Sequence, residues 1–146
     1  LNEHAGTALT DEQVNEAIML FLKGVPQYKF DYLEQLRKEY KIYILSNTNP
    51  YIMAYAHSPH FLPATGRTLS DYVDKVYASC EMQTMKPDRA IYEQMIADSG
   101  MVPERTLFID DSTANIEAAA ALGLQTLLAV NATDWRPALA ARLQCD

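Results

Sequence analysis

Thr106-Leu-Phe-Ile-Asp-Asp-Ser-Thr-Ala-Asn-Ile-Glu-Ala-Ala-Ala-Ala-Leu-Gly123 reads as a strand that turns directly into a helix. Thr106 to Ile109 is a short β-branched and aromatic run, the pattern of a buried strand. Asp110 and Asp111 follow at once. Ser112 can cap a helix whose body is Ile116 to Leu122, and Gly123 supplies the stop. Two carboxylates thus stand where a strand ends and a helix begins, the edge at which open α/β sheets bind ligands. An acid pair there is held most easily when a cation shares it, and hard oxygen ligands suit Mg²⁺. Asp-Asp-Ser before a helix is equally a plain N-terminal cap. The ends of the other strands decide between these readings.

Outward from this stretch, strand and helix patterns alternate. Lys41 to Ser46 is apolar without alternation, which suits a parallel strand buried on both faces. It ends in Ser46-Asn47-Thr48-Asn49-Pro50, where Asn49 can cap and Pro50 can open a helix running to about His57. Residues 58 to 70 form a loop rich in breakers, and Asp71 to Asp74 a turn of helix. Lys75 to Ser79 is a short strand and Glu81 to Lys86 a loop. Pro87 opens a helix with Ile91, Met95 and Ile96 inward, closed by Ser99-Gly100. Gln125 to Val130 is a last strand, and Asp134 to Leu143 a short helix around Trp135 and Leu139. From residue 41 onward this predicts right-handed βαβ crossovers and a Rossmann-like parallel sheet with flanking helices, an α/β fold. Residues before 41 are helical only. Thr10 and Gln13 form a capping box for a helix over 11 to 23, and a second helix covers Lys29 to Tyr40 with Phe30, Leu33, Leu36 and Tyr40 on one face.

The chain has 146 residues, enough for one domain with a real core. A net charge of −7 argues against nucleic acid or an acidic membrane as main partner. No apolar run approaches a membrane span and no signal-peptide pattern is visible. Cys80 and Cys145 are the only cysteines, one at a strand end and one in the tail, which fits a reducing cytoplasm better than a structural disulfide. The first residue is Leu1, which fits a processed chain or one beginning part-way through a longer protein.

Three features fall on one sheet edge. Ser46 closes a strand before a helix start, where a hydroxyl and free backbone N–H groups cradle an anion. Lys86 precedes Pro87, which biases it out of helical geometry and lets its side chain reach over the strand ends. Asp110 and Asp111 close another strand. Singly, these are a turn residue, a solvated charge and a cap. Together, hydroxyl, ammonium and metal-binding acids make a site for a phosphate ester. His57 and His60 have Pro59 between them and no further ligand nearby, which argues against zinc.

Leu45-Ser46-Asn47-Thr48-Asn49, Met85-Lys86-Pro87-Asp88 and Phe108-Ile109-Asp110-Asp111-Ser112, with Asn115 and Ala118-Ala119, resemble in order and spacing the second, third and fourth motifs of the haloacid dehalogenase (HAD) superfamily. The resemblance covers about Thr10 to Val130. It implies that the Ser46 hydroxyl and the backbone beside it at Asn47 bind the phosphoryl group. Lys86 then neutralises phosphate and nucleophile, Asp111 is the direct Mg²⁺ ligand, and Asp110 is the neighbouring acid that supports it. It further implies that residues 1–28 are the remnant of a small helical cap and 29–146 the α/β core. The family's first motif is a strand ending in Asp-x-Asp, whose first acid is the nucleophile. No two aspartates in this sequence are two positions apart. By resemblance, that central first strand lies between residues 42–46 and 106–110, so its absence predicts a gap there, closed directly or by a strand donated from another chain or from a missing N-terminal segment. The implied function is a Mg²⁺-dependent phosphatase of small phosphorylated metabolites, with the 146-residue chain inactive alone. The alternative is a non-catalytic interaction or regulatory protein on a degenerate hydrolase scaffold.

Overall fold

The computed structural model describes Thr10, Gln13 and residues 25–62, 65–130 and 133–143. The elements are α1 (Gln27–Leu36), β1 (Tyr43–Ser46), α2 (Pro50–Ala56), β2 (Lys75–Ala78), α3 (Ser79–Met82), α4 (Arg89–Ser99), β3 (Leu107–Asp110), α5 (Thr113–Ala120), β4 (Gln125–Leu128) and α6 (Arg136–Leu143). Short 3₁₀ turns lie at Leu69–Asp71 and Pro103–Arg105. The α/β alternation is as the sequence predicts. β3 and β4 are parallel, in register from Leu107 opposite Gln125 to Asp110 opposite Leu128. The crossover helix α5 packs on both strands, and α4 packs on α5. β1 pairs with β2 in a second two-stranded sheet.

Among the described residues no ladder joins β1 to β3. One expectation is corrected: the four residues of β1 are all only half-buried, not enclosed on both faces. Among the described residues β1 is laddered to β2 alone, and its side chains are not enclosed as those of a central parallel strand are.

The chain divides into two compact units, Leu1–Tyr43 with Pro50–Lys75, and Ile44–Asn49 with Val76–Asp146. In the first, Phe30 is buried in an aromatic cluster, edge-on to Phe61 at 5.7 Å and tilted against Tyr72 at 4.9 Å. Arg37 donates to the Asp71 carbonyl at 2.9 Å and pairs with Asp74, whose carboxylate accepts the Ile42 N–H at 2.7 Å. In the second, Ile91, Tyr92, Met95, Phe108, Ala119, Leu124 and Leu139 form the core.

Several boundaries differ from the sequence reading. α1 ends at Leu36 and Tyr40 is 42% exposed, because the chain leaves the helix through a turn in which Arg37 swings to Asp71 and Asp74. The loop expected at 81–86 starts as helix α3. α4 is opened by Asp88, whose carboxylate accepts the Ala90 N–H at 3.0 Å, so Pro87 lies before the helix. Ser112 occupies the cap position of α5 without a side-chain capping bond. Gly100 and Gly123 close α4 and the turn after α5 at φ of 65° and 85°, a conformation that glycine adopts without a Cβ clash. Thr10 and Gln13 exchange the reciprocal bonds of a capping box, at 3.0 and 3.2 Å. The helix expected beyond it at 11 to 23, like Cys145, lies outside the described residues.

Ile91 is fully buried and Asp88 is a surface cap. Ile91→Ala is therefore expected to cost about 2–5 kcal/mol and Asp88→Ala only about 1 kcal/mol. Urea midpoints of the two variants, compared at a common slope, check the ranking.

Candidate active site

The sequence places Ser46, Lys86 and the two aspartates at strand or loop ends, and the structure links Lys86 to Asp110 and, through its backbone, to Asn47. β1 delivers Ser46 and Asn47, the turn before α4 delivers Lys86, and β3 delivers Asp110 and Asp111. The Lys86 Nζ donates to Asp110 Oδ2 at 2.6 Å, with the two side chains 11% and 6% exposed. The other carboxylate oxygen of Asp110 accepts the Ser112 N–H at 2.9 Å and the Asn115 amide at 2.8 Å. Lys86 Nζ also lies 5.7 Å from the centre of the Phe108 ring, within reach of a cation–π attraction. Asn47 reaches the same lysine from the other side, through its main chain. The Asn47 amide donates to the Lys86 carbonyl at 2.9 Å, and its oxygen accepts the Lys86 N–H at 2.8 Å.

The two aspartates are separated in kind. Asp110 is buried and committed on both oxygens. Burial alone pushes its carboxyl pKa up. Hydrogen bonds from Lys86, the Ser112 N–H and Asn115 more than offset that and hold it below the usual carboxylate range. Asp111 is exposed and makes no hydrogen bond or ion pair among the described residues. The half-buried Ser46 hydroxyl is likewise unbonded among them. One N–H expected to be free for an anion is not. Thr48 N–H donates to Ser79 Oγ at 3.0 Å.

Among the described residues no three His, Cys, Asp or Glu side chains group closely enough to hold a metal. Asp111 remains as a hard oxygen donor at the open edge. Mg²⁺ is commonly bound by one or two carboxylates with waters and substrate phosphate oxygens. The residues present therefore fit a Mg²⁺ shared with a phosphate and do not fit a closed all-protein cage. His57, dismissed as a zinc ligand, bonds Ser70 Oγ through Nδ1 at 2.8 Å in the other unit.

Two contributors escaped the sequence reading. Ser79, at the start of α3, grips the Thr48 backbone. Tyr92 is fully buried, stands edge-on to Phe108 at 5.5 Å, and donates its hydroxyl to the Asn115 carbonyl at 3.1 Å. Burial, helped by the Asp110 charge, pushes that phenol up to about 12. Tyr92 lies one residue from Ile91 on α4, so helical spacing from Ile91 and Met95 could have found its face. Nothing in the sequence ties Ser79 to Thr48.

The chain matches the family described as haloacid dehalogenase-like hydrolase over residues 2–123. It belongs to that family. It is 42% identical over 139 residues to the D-ribitol-5-phosphate phosphatase of Bacteroides thetaiotaomicron, covering 95% of this chain and 67% of that protein. A predicted HAD-like family hydrolase from Porphyromonas gingivalis superposes with a TM-score of 0.90 at 48% identity, over 98% of this chain and 69% of that one. A HAD family enzyme of B. thetaiotaomicron, crystallised with magnesium and inorganic phosphate, superposes with a TM-score of 0.81 at 33% identity, over 94% of this chain and 69% of that one. Magnesium and phosphate, read from the acids and the lysine, are thus the ligands seen in a solved relative.

Because the Asp110 pKa is lowered on folding, the unfolded chain binds the extra proton in acid. Its contribution to stability is complete above the unfolded value of about 3.9 and is lost as pH falls through the lower folded value. Asp110→Asn is expected to flatten this acid limb. By leaving Lys86 buried without its partner, it should also cost on the order of 3 kcal/mol at neutral pH. Denaturation midpoints of both proteins from pH 7 down to pH 3 test both effects.

Proposed function

We propose that this HAD-family chain carries the phosphate- and metal-binding side of a Mg²⁺-dependent phosphatase site for small phosphorylated metabolites, with phosphorylated polyols first among them. The observation that carries this is the chain of contacts from Asn47 through Lys86 to Asp110. It gathers an ammonium and an acid through residues next in sequence to Ser46 and Asp111, whose side chains make no hydrogen bond among the described residues. The substrate class rests on the kinship with a D-ribitol-5-phosphate phosphatase.

Each residue has a separate task. Ser46 Oγ and the Asn47 N–H donate to phosphoryl oxygens. Lys86 offsets negative charge on the phosphoryl group while Asp110 holds its ammonium in place. Asp111 ligates Mg²⁺, and the metal, when bound, supplies charge stabilisation at the phosphoryl oxygens. The attacking group is another matter, because the sequence has no Asp-x-Asp and none of these residues is the nucleophile of an aspartyl-phosphate mechanism. A reducing cytoplasm fits the cysteine usage, and among the described residues no helix is long and apolar enough to cross a membrane.

The purified 146-residue chain is expected to give no turnover of D-ribitol 5-phosphate with Mg²⁺. Fusing a strand that ends in Asp-x-Asp ahead of it should confer hydrolysis, which Lys86→Ala then lowers by roughly 100-fold or more. Metal-dependent hydrolysis by the unfused chain would refute this account of the nucleophile. Calorimetry supplies a second check. Mg²⁺ should bind weakly alone and more tightly with inorganic phosphate, and Asp111→Ala should abolish the binding. Mg²⁺ binding that survives Asp111→Ala would remove Asp111 from the metal site.

A further inference from the structure

Two side chains at this site each grip the backbone of the other's segment. Asn47 holds both the carbonyl and the N–H of Lys86, at 2.9 and 2.8 Å. Ser79 Oγ accepts the Thr48 N–H at 3.0 Å and donates to the Thr48 carbonyl at 3.1 Å. A single hydrogen bond lets a loop pivot. Two bonds to the donor and acceptor of one residue fix the peptides on either side of it. Ser79 is 7% exposed, so its pair of bonds is shielded from competing water.

The positions give these clamps their meaning. Asn47 and Thr48 directly follow Ser46, which ends β1. Ser79 opens α3 at the end of β2, and Lys86 closes the loop beyond α3. The two clamps therefore bracket the stretch 79–86 and tie both its ends to the residues beside Ser46. Asn suits its place because its amide carries a donor and an acceptor at peptide-like spacing. Turning the amide over would set nitrogen against N–H and oxygen against carbonyl, so the two bonds also fix its orientation.

We propose that Asn47 and Ser79 are positioning residues, which lock the Ser46 loop and the Lys86 loop into one anion-binding unit, the Asn47 side chain serving the Lys86 backbone and not the substrate. The inference rests on the phosphate-site reading given above, in which the Asn47 backbone N–H faces the phosphoryl group, and gives its side chain a task of its own. Without the clamp, the ammonium keeps Asp110 but loses its fixed distance from the Ser46 hydroxyl. Displacements of an ångström in such a site cost on the order of 100-fold in function.

The test pairs a spectroscopic readout with a binding readout on the full chain. The ¹H–¹⁵N signal of the Lys86 ammonium is identified by its loss in Lys86→Arg, and inorganic phosphate with Mg²⁺ is titrated by calorimetry. Asn47→Ala and Ser79→Ala are each expected to displace the Lys86 signal and weaken phosphate binding about tenfold or more. Asn47→Asp keeps the side-chain size but sets a carboxylate against the Lys86 carbonyl. It should do the same, and it decides the question if Asn47→Ala does not fold. A weaker phosphate affinity with the Lys86 signal unmoved means that the amide binds the anion itself and overturns the proposal. A displaced signal with unchanged phosphate affinity also overturns it. If the unmodified chain binds no phosphate, the phosphatase reading fails separately. The Lys86 signal in the Asn47 variants then still decides whether the clamp positions the lysine.

Discussion

The ion pair between Lys86 and Asp110 is the interaction on which the rest of the site depends. Both side chains are nearly removed from water, where an unpaired charge would be costly. Such a pair is tolerated only when the remaining polar capacity of each partner is satisfied nearby. Asp110 achieves this with the first N–H after the β3 turn and with Asn115 one turn into α5. Its position at the end of a parallel strand and ahead of a helix makes both donors local. Lys86 comes from a different segment, 24 residues earlier, so its approach has to be fixed by something other than the strand. The Asn47 clamp on its backbone does this.

This arrangement explains why two adjacent aspartates have different characters. Successive residues at a strand end point in opposite directions. Asp110 turns toward Lys86 and the α5 start, and its charge is stabilised there against burial. Asp111 turns outward and keeps its oxygens for a ligand. Behind them, the Tyr92 hydroxyl on the Asn115 carbonyl and its ring against Phe108 join α4, α5 and β3 beneath the pair. The packing of the second unit and the placement of its charges are therefore one problem. A shift of α4 would move both Lys86, which precedes it, and Asn115, which Tyr92 holds.

The sheet arrangement bears on the same chemistry. β1 and β3 carry the hydroxyl and the acids at their ends, yet no ladder joins them among the described residues. Contacts of side chains with loops span the distance that strand pairing does not. The half-burial along β1, which among the described residues is laddered to β2 alone, fits this picture.

Local pattern determined much of this in advance. The apolar runs before Ser46 and Asp110, the capping residues and the two closing glycines specify strands and helices through short-range sterics and hydrogen bonding. The order Ser46, Lys86, Asp110-Asp111 carries the family. The missing Asp-x-Asp is purely a sequence fact. Tertiary structure alone decided which acid pairs with the lysine, because Asp110 and Asp111 are chemically identical and only the direction of the strand end separates them. It also decided that the Asn47 amide faces a backbone and that Thr48 is held by Ser79. Those partners lie 39 and 31 residues away, beyond the reach of any local periodicity.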